Sequence, residues 1–223
     1  SWEELKSVLF SHRIWVARNS KDFFQEIPLE IQKEINVFVC KGNDKMLNVT
    51  DAIVLAYDHA QVVAHGDSVV LARGNSIVSA YDHCEVVAYD TPKVWVFNNS
   101  KVESHDHTQV IAHGESKVVA CGNCKVMAHG ESRVVAFHSS EIKAYEGCEV
   151  EAYNHSQVEA YGNSKVMAYD YCEVHAFDHC NVVAYDHCEV EAFDHCNVEA
   201  YGNSEVVANG ESRVRAFNYS EVW

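Results

Sequence analysis

Threonine and proline are nearly missing from this chain, with three and two among 223 residues. So few threonines exclude the flat threonine rows of ice-binding solenoids. Basic residues are also scarce, 17 against 33 acidic ones, for a formal charge of −16. A nucleic-acid partner is therefore excluded, because phosphate contacts need clustered Lys and Arg. No apolar run approaches the ~20 residues that a membrane-spanning helix requires, so no membrane span is expected. The opening SWEELKSVLF lacks the basic-then-apolar pattern of a secretory signal. What is over-represented is odd in its own way: nine Cys and 14 His. Skews of this kind are the mark of an internal repeat.

The repeat has a period of eight. Counted backward from Trp223, 23 units fill residues 40–223, as in AYGNSKVM (160–167) and AYDHCEVE (184–191). With the first residue of each unit as slot one, slot seven is Val in 21 units, Met46 and Ile142 being the exceptions. Slot one is Ala in 19 units, slot five is Ser in 11 and Cys in seven, and all ten glycines fall in slots three or four.

Physics assigns these slots. Eight residues advance an α-helix by about 800°, so slot seven would drift by ~80° per unit and form no stripe. A strand alternates its faces, which puts slots five, seven and one together and slots six, eight and two opposite. The first set is small and nearly invariant, as a narrow interior demands. Slots three and four hold Asp-His, Gly-Asn or Gly-Glu, residue types suited to the left-handed backbone of a tight turn. A single strand cannot bury its face, so successive units must coil. A three-sided coil would be too wide for Val, Ala and Ser to fill. The expected fold is all-β: a two-sheet β-roll, a β-solenoid with two units per 16-residue coil. Residues 1–39 stand outside the register and read as a small α/β N-terminal cap. Ser1 and Glu4 fit a capping box, 13–17 reads as a strand, and 22–26 and 28–35 read as short helices.

The string AYGNSKV over 160–166, with its copies across 40–223, resembles the octapeptide-repeat proteins of gut bacteria and their phages. The lead-in KDFFQEIP over 21–28 is similar to segments that precede those repeats. The resemblance implies a repeat architecture and a phage or bacterial-surface context, but no activity.

Four constellations carry candidate chemistry. Seven cysteines in slot five (Cys84, Cys124, Cys148, Cys172, Cys180, Cys188, Cys196) would stack in ladders. A straight ladder with ~4.8 Å spacing supplies poorly the four convergent ligands that zinc wants, so they read as core fillers in place of Ser. No metal and no cofactor are expected, and calcium sites are not either, because built-in calcium rolls use a nine-residue double-glycine repeat. The Asp-His-Cys triplets at 178–180, 186–188 and 194–196 look catalytic but alternate faces, so no enzyme is expected. Slot two is aromatic in 14 of the 21 units from 56 onward and His in four more. Two units per coil would stack Tyr153, Tyr169, Tyr185, Tyr201 and Phe217 along one edge. They would stack Tyr145, Tyr161, Phe177 and Phe193 along the other. These rings are the candidate binding residues, for a glycan or a receptor. Slot eight faces outward yet holds Val87, Trp95, Ile111, Val119, Met127 and Val135, which as a contiguous strip would form an interface for self-association or a partner protein. Protonating all 14 His would bring the charge near −2, so association should grow as pH falls toward ~5.5.

The expected function is a non-enzymatic structural rod or surface-binding element of a phage or bacterial-surface assembly. The alternative is a glycan- or receptor-binding module working through its aromatic edges. Reduced cysteines and the missing signal favour residence in the cytoplasm or on a virion.

Overall fold

Among the described residues, twenty-four short strands, β1 to β24 in chain order, alternate between two 12-stranded parallel sheets, the odd-numbered strands in one and the even-numbered in the other. The computed structural model describes residues 29–42 and 46–223. Beyond the first coil, strands pair with the strand one coil ahead at an offset of 16 residues, as in Val150↔Val166 and Val174↔Val190. The chain is a β-solenoid of two octapeptide units per turn.

The core follows from the slots. Slot-seven Val and slot-one Ala of both sheets point between them; Val166 and Val182 are 1% exposed and Ala168 and Ala184 not at all. Slot five closes the interior at each turn. Its hydroxyl donates to the slot-two carbonyl three residues back, as in Ser132 Oγ to the His129 carbonyl at 2.8 Å, and also reaches the turn one coil behind, the Gly114 carbonyl at 3.0 Å. A buried Ser is thus satisfied, as an interior of low dielectric requires, Ser76 being an exception whose hydroxyl has no partner among the described residues. Each fully buried Val contributes ~1.5–3 kcal/mol.

The turns use left-handed backbone. Asp58, Asp82 and Asp90 adopt it at slot three alone. Asp178 with His179, Asp186 with His187 and Asp194 with His195 adopt it at slots three and four together. Asp, Asn and His are the side chains that tolerate this region best. At Gly202 (φ 72) a Cβ would also meet the Asp186 nitrogen of the coil behind at 3.0 Å, so closeness and conformation both require glycine.

The first coil departs from the expected register. A strict period of eight points Met46 and Asn48 inward, but Met46 is 62% exposed and Asn48 is also exposed. Strand β2 (Leu47–Thr50) pairs with β4 (Gln61–His65) at an offset of 15, Leu47↔Val62, which turns Leu47 and Val49 to the core. The slip is driven by local alternation, since Leu47 and Val49 are apolar while Asn48 and Thr50 are not. The helix expected over 28–35 is observed as α1 (Leu29–Glu34), followed by β1 (Val37–Lys41). The capping box, the strand over 13–17 and the helix over 22–26 lie outside the described residues.

The face assignment makes a direct prediction. Val166→Asp buries an unpaired carboxylate and should lower the unfolding midpoint by many degrees, whereas the neighbouring Lys165→Asp exchanges an exposed ion pair with Glu149 for a solvent-screened like-charge contact and should cost far less. Thermal unfolding of the two variants checks it; equal shifts would contradict the packing described.

Candidate functional site

Slot-two rings line both edges. On one edge nine rings run without a break from His65 through Tyr81, Phe97, His113, His129, Tyr145, Tyr161 and Phe177 to Phe193. Their centroids lie 4.7–5.2 Å apart with planes 5–13° from parallel. On the other, Phe137, Tyr153, Tyr169, Tyr185, Tyr201 and Phe217 stack at 4.8–5.1 Å. Cys121 parts that ladder from the Tyr89–His105 pair, and the Arg73 guanidinium sits 4.9 Å from the Tyr89 centroid. All nine candidate rings therefore fall in stacks. The sequence reading left His65, Tyr81, Phe97, His113 and His129 outside the first ladder, although the same 16-residue spacing includes them. A shorter stack at slot four, His155–Tyr171–His187, and the pair His179–His195 were also missed.

The stacks are tied to the outer faces. The hydroxyls of Tyr153, Tyr161 and Tyr201 donate to Glu151, Glu159 and Glu199, two residues back, at 3.0–3.2 Å. Desolvation, then the adjoining glutamate, raises the pKa of each phenol. His113, between Phe97 and His129, is shifted the other way, its pKa lowered by burial and then by the His129 charge.

The triplet residues do not meet. Cys180 Sγ donates to the Phe177 carbonyl at 3.0 Å, while the His179 ring stacks on His195 in the turn. Cys148, Cys172, Cys188 and Cys196 make the same bond to the slot-two carbonyl, so the thiol replaces the serine hydroxyl geometrically. None of the nine cysteines is in a disulfide. Burial pushes the Cys84 and Cys180 thiols up to about 11. The Cys172 thiol in the next coil, then burial, pushes Cys188 higher still. Such thiols are poor nucleophiles at neutral pH.

The six apolar slot-eight residues are divided between the sheets rather than forming one strip. Val87 is 2% exposed and is covered by the chain itself, in a second cluster with Leu55, Leu71, Ile35 and the partly buried Ile31 of α1. Here the outer face of the first odd strands is apolar in both outward slots, and the segment around α1 packs on it. Glu103 then separates Val87 from Val119, which adjoins Val135 on the same sheet. Trp95, Ile111 and Met127 occupy matched positions on the even sheet and line a shallow groove with Lys93, Lys125 and Lys143.

Among the described residues, no three His, Cys, Asp or Glu side chains are placed to hold a metal ion, and no helix is long and apolar enough to cross a membrane. Compared with family models, curated proteins and solved structures, the chain matches none.

Two predictions follow from this geometry. Cys180→Ser with Cys188→Ser should leave the unfolding midpoint within a few degrees of the parent, because Ser makes the same carbonyl bond elsewhere; zinc bound stoichiometrically by the parent and lost in the variant would contradict this. The lowered pKa of His113 means that the unfolded chain binds its proton more readily. Its contribution to stability is therefore full above the unfolded value of ~6.5 and is lost as pH falls below it. His113→Phe should keep the stack and reduce the fall in midpoint between about pH 7.5 and 5.5, read by calorimetry.

Proposed function

We propose that this chain is a non-enzymatic structural rod that serves a phage or bacterial-surface assembly. The observation that carries the reading is the continuity of the interior and the ring ladders. Beyond the first coil the same small residues recur in the core, and each ring within a ladder spends its faces on its neighbours above and below. At ~4.8 Å per coil, residues 40–223 make a rod about 55 Å long. In-register ladders resist bending, and each stacked ring pair adds ~0.5–1.5 kcal/mol. The resemblance to octapeptide-repeat proteins of gut bacteria and their phages supports the surface context.

The glycan- or receptor-binding reading is the less supported one. Sugars stack on open aromatic faces, whereas within these ladders only the ring rims and the tyrosine hydroxyls face outward. The two readings part experimentally. Small-angle scattering should give a stiff particle about 55 Å long, with no retention on a glycan array. A compact or flexible particle would overturn the rod; specific glycan retention abolished by Tyr185→Ala would favour the module.

A further inference from the structure

The two outer faces distribute charge differently. On the odd sheet, the basic row Lys101, Lys117, Arg133 is closed at both ends by glutamate, Lys101 with Glu85 at 3.1 Å and Arg133 with Glu149 at 3.0 Å, and Arg215 pairs with Glu199 at 3.1 Å. On the even sheet opposite charges are segregated along the rod. From 61 to 127 its outward slots six and eight carry Lys93 and Lys125 and no acid, together with the apolar row Trp95, Ile111, Met127. From 141 to 221 they carry seven glutamates against one lysine, Lys143. Within that half, Glu173, Glu189, Glu205 and Glu221 stand at matched positions on four successive strands. Like charges directly opposite in a sheet are destabilising, and at ~4.8 Å spacing a glutamate row is costly unless something positive faces it. No ion pair joins Lys93, Glu189, Glu205 or Glu221 to another of the described residues, whereas Lys125 and Lys143 reach Glu141 and Glu159 where the two halves meet.

We propose that two copies of this chain pair through their even sheets, antiparallel, about a two-fold axis that lies in the interface plane, parallel to the strands, over the gap between β14 (Glu141–Ala144) and β16 (Gln157–Ala160). Turned about that axis, the basic and apolar half of one copy lies on the glutamate half of the other, and the reverse holds at the same time. Strand β8 (Lys93–Val96) then lies over β22 (Glu205–Ala208), which sets Lys93 toward Glu205 and Trp95 toward the exposed Val207. Strand β12 (Lys125–Ala128) lies over β18 (Glu173–Ala176), Lys125 toward Glu173. A parallel pairing would instead set glutamate on glutamate, so the segregation selects orientation as well as partner. Self-complementarity of a single patch is what a two-fold interface requires. Ten strands, each ~13 Å across four residues, give roughly 600 Å² per copy and about 1,200 Å² in the pair, the low end for specific association.

The pairing rests on the rod reading, because it needs a straight face along the whole solenoid. Sedimentation equilibrium of the full chain should show a dimer at about 50 mM salt that weakens at about 500 mM. Lys93→Glu with Lys125→Glu should raise the dimer dissociation constant at least ~10-fold, and Glu173→Lys with Glu205→Lys should do the same. Mixing the two variants should restore dimers, since each then meets an oppositely charged half on both ends. All four side chains lie on the outer face, and circular dichroism of each variant confirms the fold. A parent that stays monomeric to ~100 µM, variants that dimerise as the parent does, or a mixture that stays monomeric would each overturn the pairing. Scattering from the same samples separates the two readings. Monomers still about 55 Å long would remove the pairing and leave the rod, whereas monomers without that length would remove the rod itself.

Discussion

The gap between the two sheets is the constraint on which everything else depends. Two parallel sheets that coil every 16 residues leave an interior only a few side chains wide. Val from slot seven, Ala from slot one and Ser or Cys from slot five fill it completely. A larger residue would force the sheets apart, and a smaller one would leave a void that the repeat would propagate. The near-invariance of these three slots across the repeat follows from that geometry. So does the role of slot five, which must be small enough to lie inside and polar enough to satisfy the turn carbonyl. Serine and cysteine meet both conditions, and the thiols are buried for the same reason that the hydroxyls are.

Once the interior fixes an offset of 16, every outward residue lies on a copy of its own slot. In-register stacking therefore amplifies whatever the sequence repeats. Aromatic slot-two residues become continuous ring stacks, and opposite charges become ion pairs along the odd sheet. Repeated glutamates become a row of like charges. The first two outcomes stabilise the rod and the third costs stability. The even sheet keeps its glutamate row although Lys or Gln at slot six would remove it, as Lys125 and Gln157 show elsewhere on the same face. That contrast is what the proposed pairing of even sheets rests on.

Much of this was legible in the sequence, because an eight-residue period with small inward residues admits few folds. The two-sheet coil, the inward slots, the left-handed turns and the nine stacked rings can be read from spacing alone. What escaped the period was decided by local competition. Met46 occupies slot seven by count, but the alternation of Leu47, Asn48, Val49 and Thr50 outweighs the count and slips the first coil by one residue. Val87 looks outward by its slot, but Leu55 and Leu71 stand behind it in the same row, and α1 adjoins that apolar patch. Trp95 and Val119 belong to opposite sheets because their units are an odd number apart, a parity that a row of apolar letters conceals. The histidine members of the first ladder escaped because His reads as polar, whereas in the stack its ring face is what matters.

The in-register offset of 16 can be tested without reference to any partner. Asn181 and Asn197 are exposed, lie at matched positions on adjacent odd strands and exchange a side-chain hydrogen bond at 3.2 Å. Glu189, midway between them in sequence, is on the other sheet. Parallel neighbours ~4.8 Å apart lie within the 4.4–6.8 Å that a disulfide spans. Under mild oxidation, Asn181→Cys with Asn197→Cys should form a bond that peptide mass spectrometry locates. Asn181→Cys with Glu189→Cys should not. A 181–189 bond, or no 181–197 bond in the folded chain, would contradict the two-unit coil.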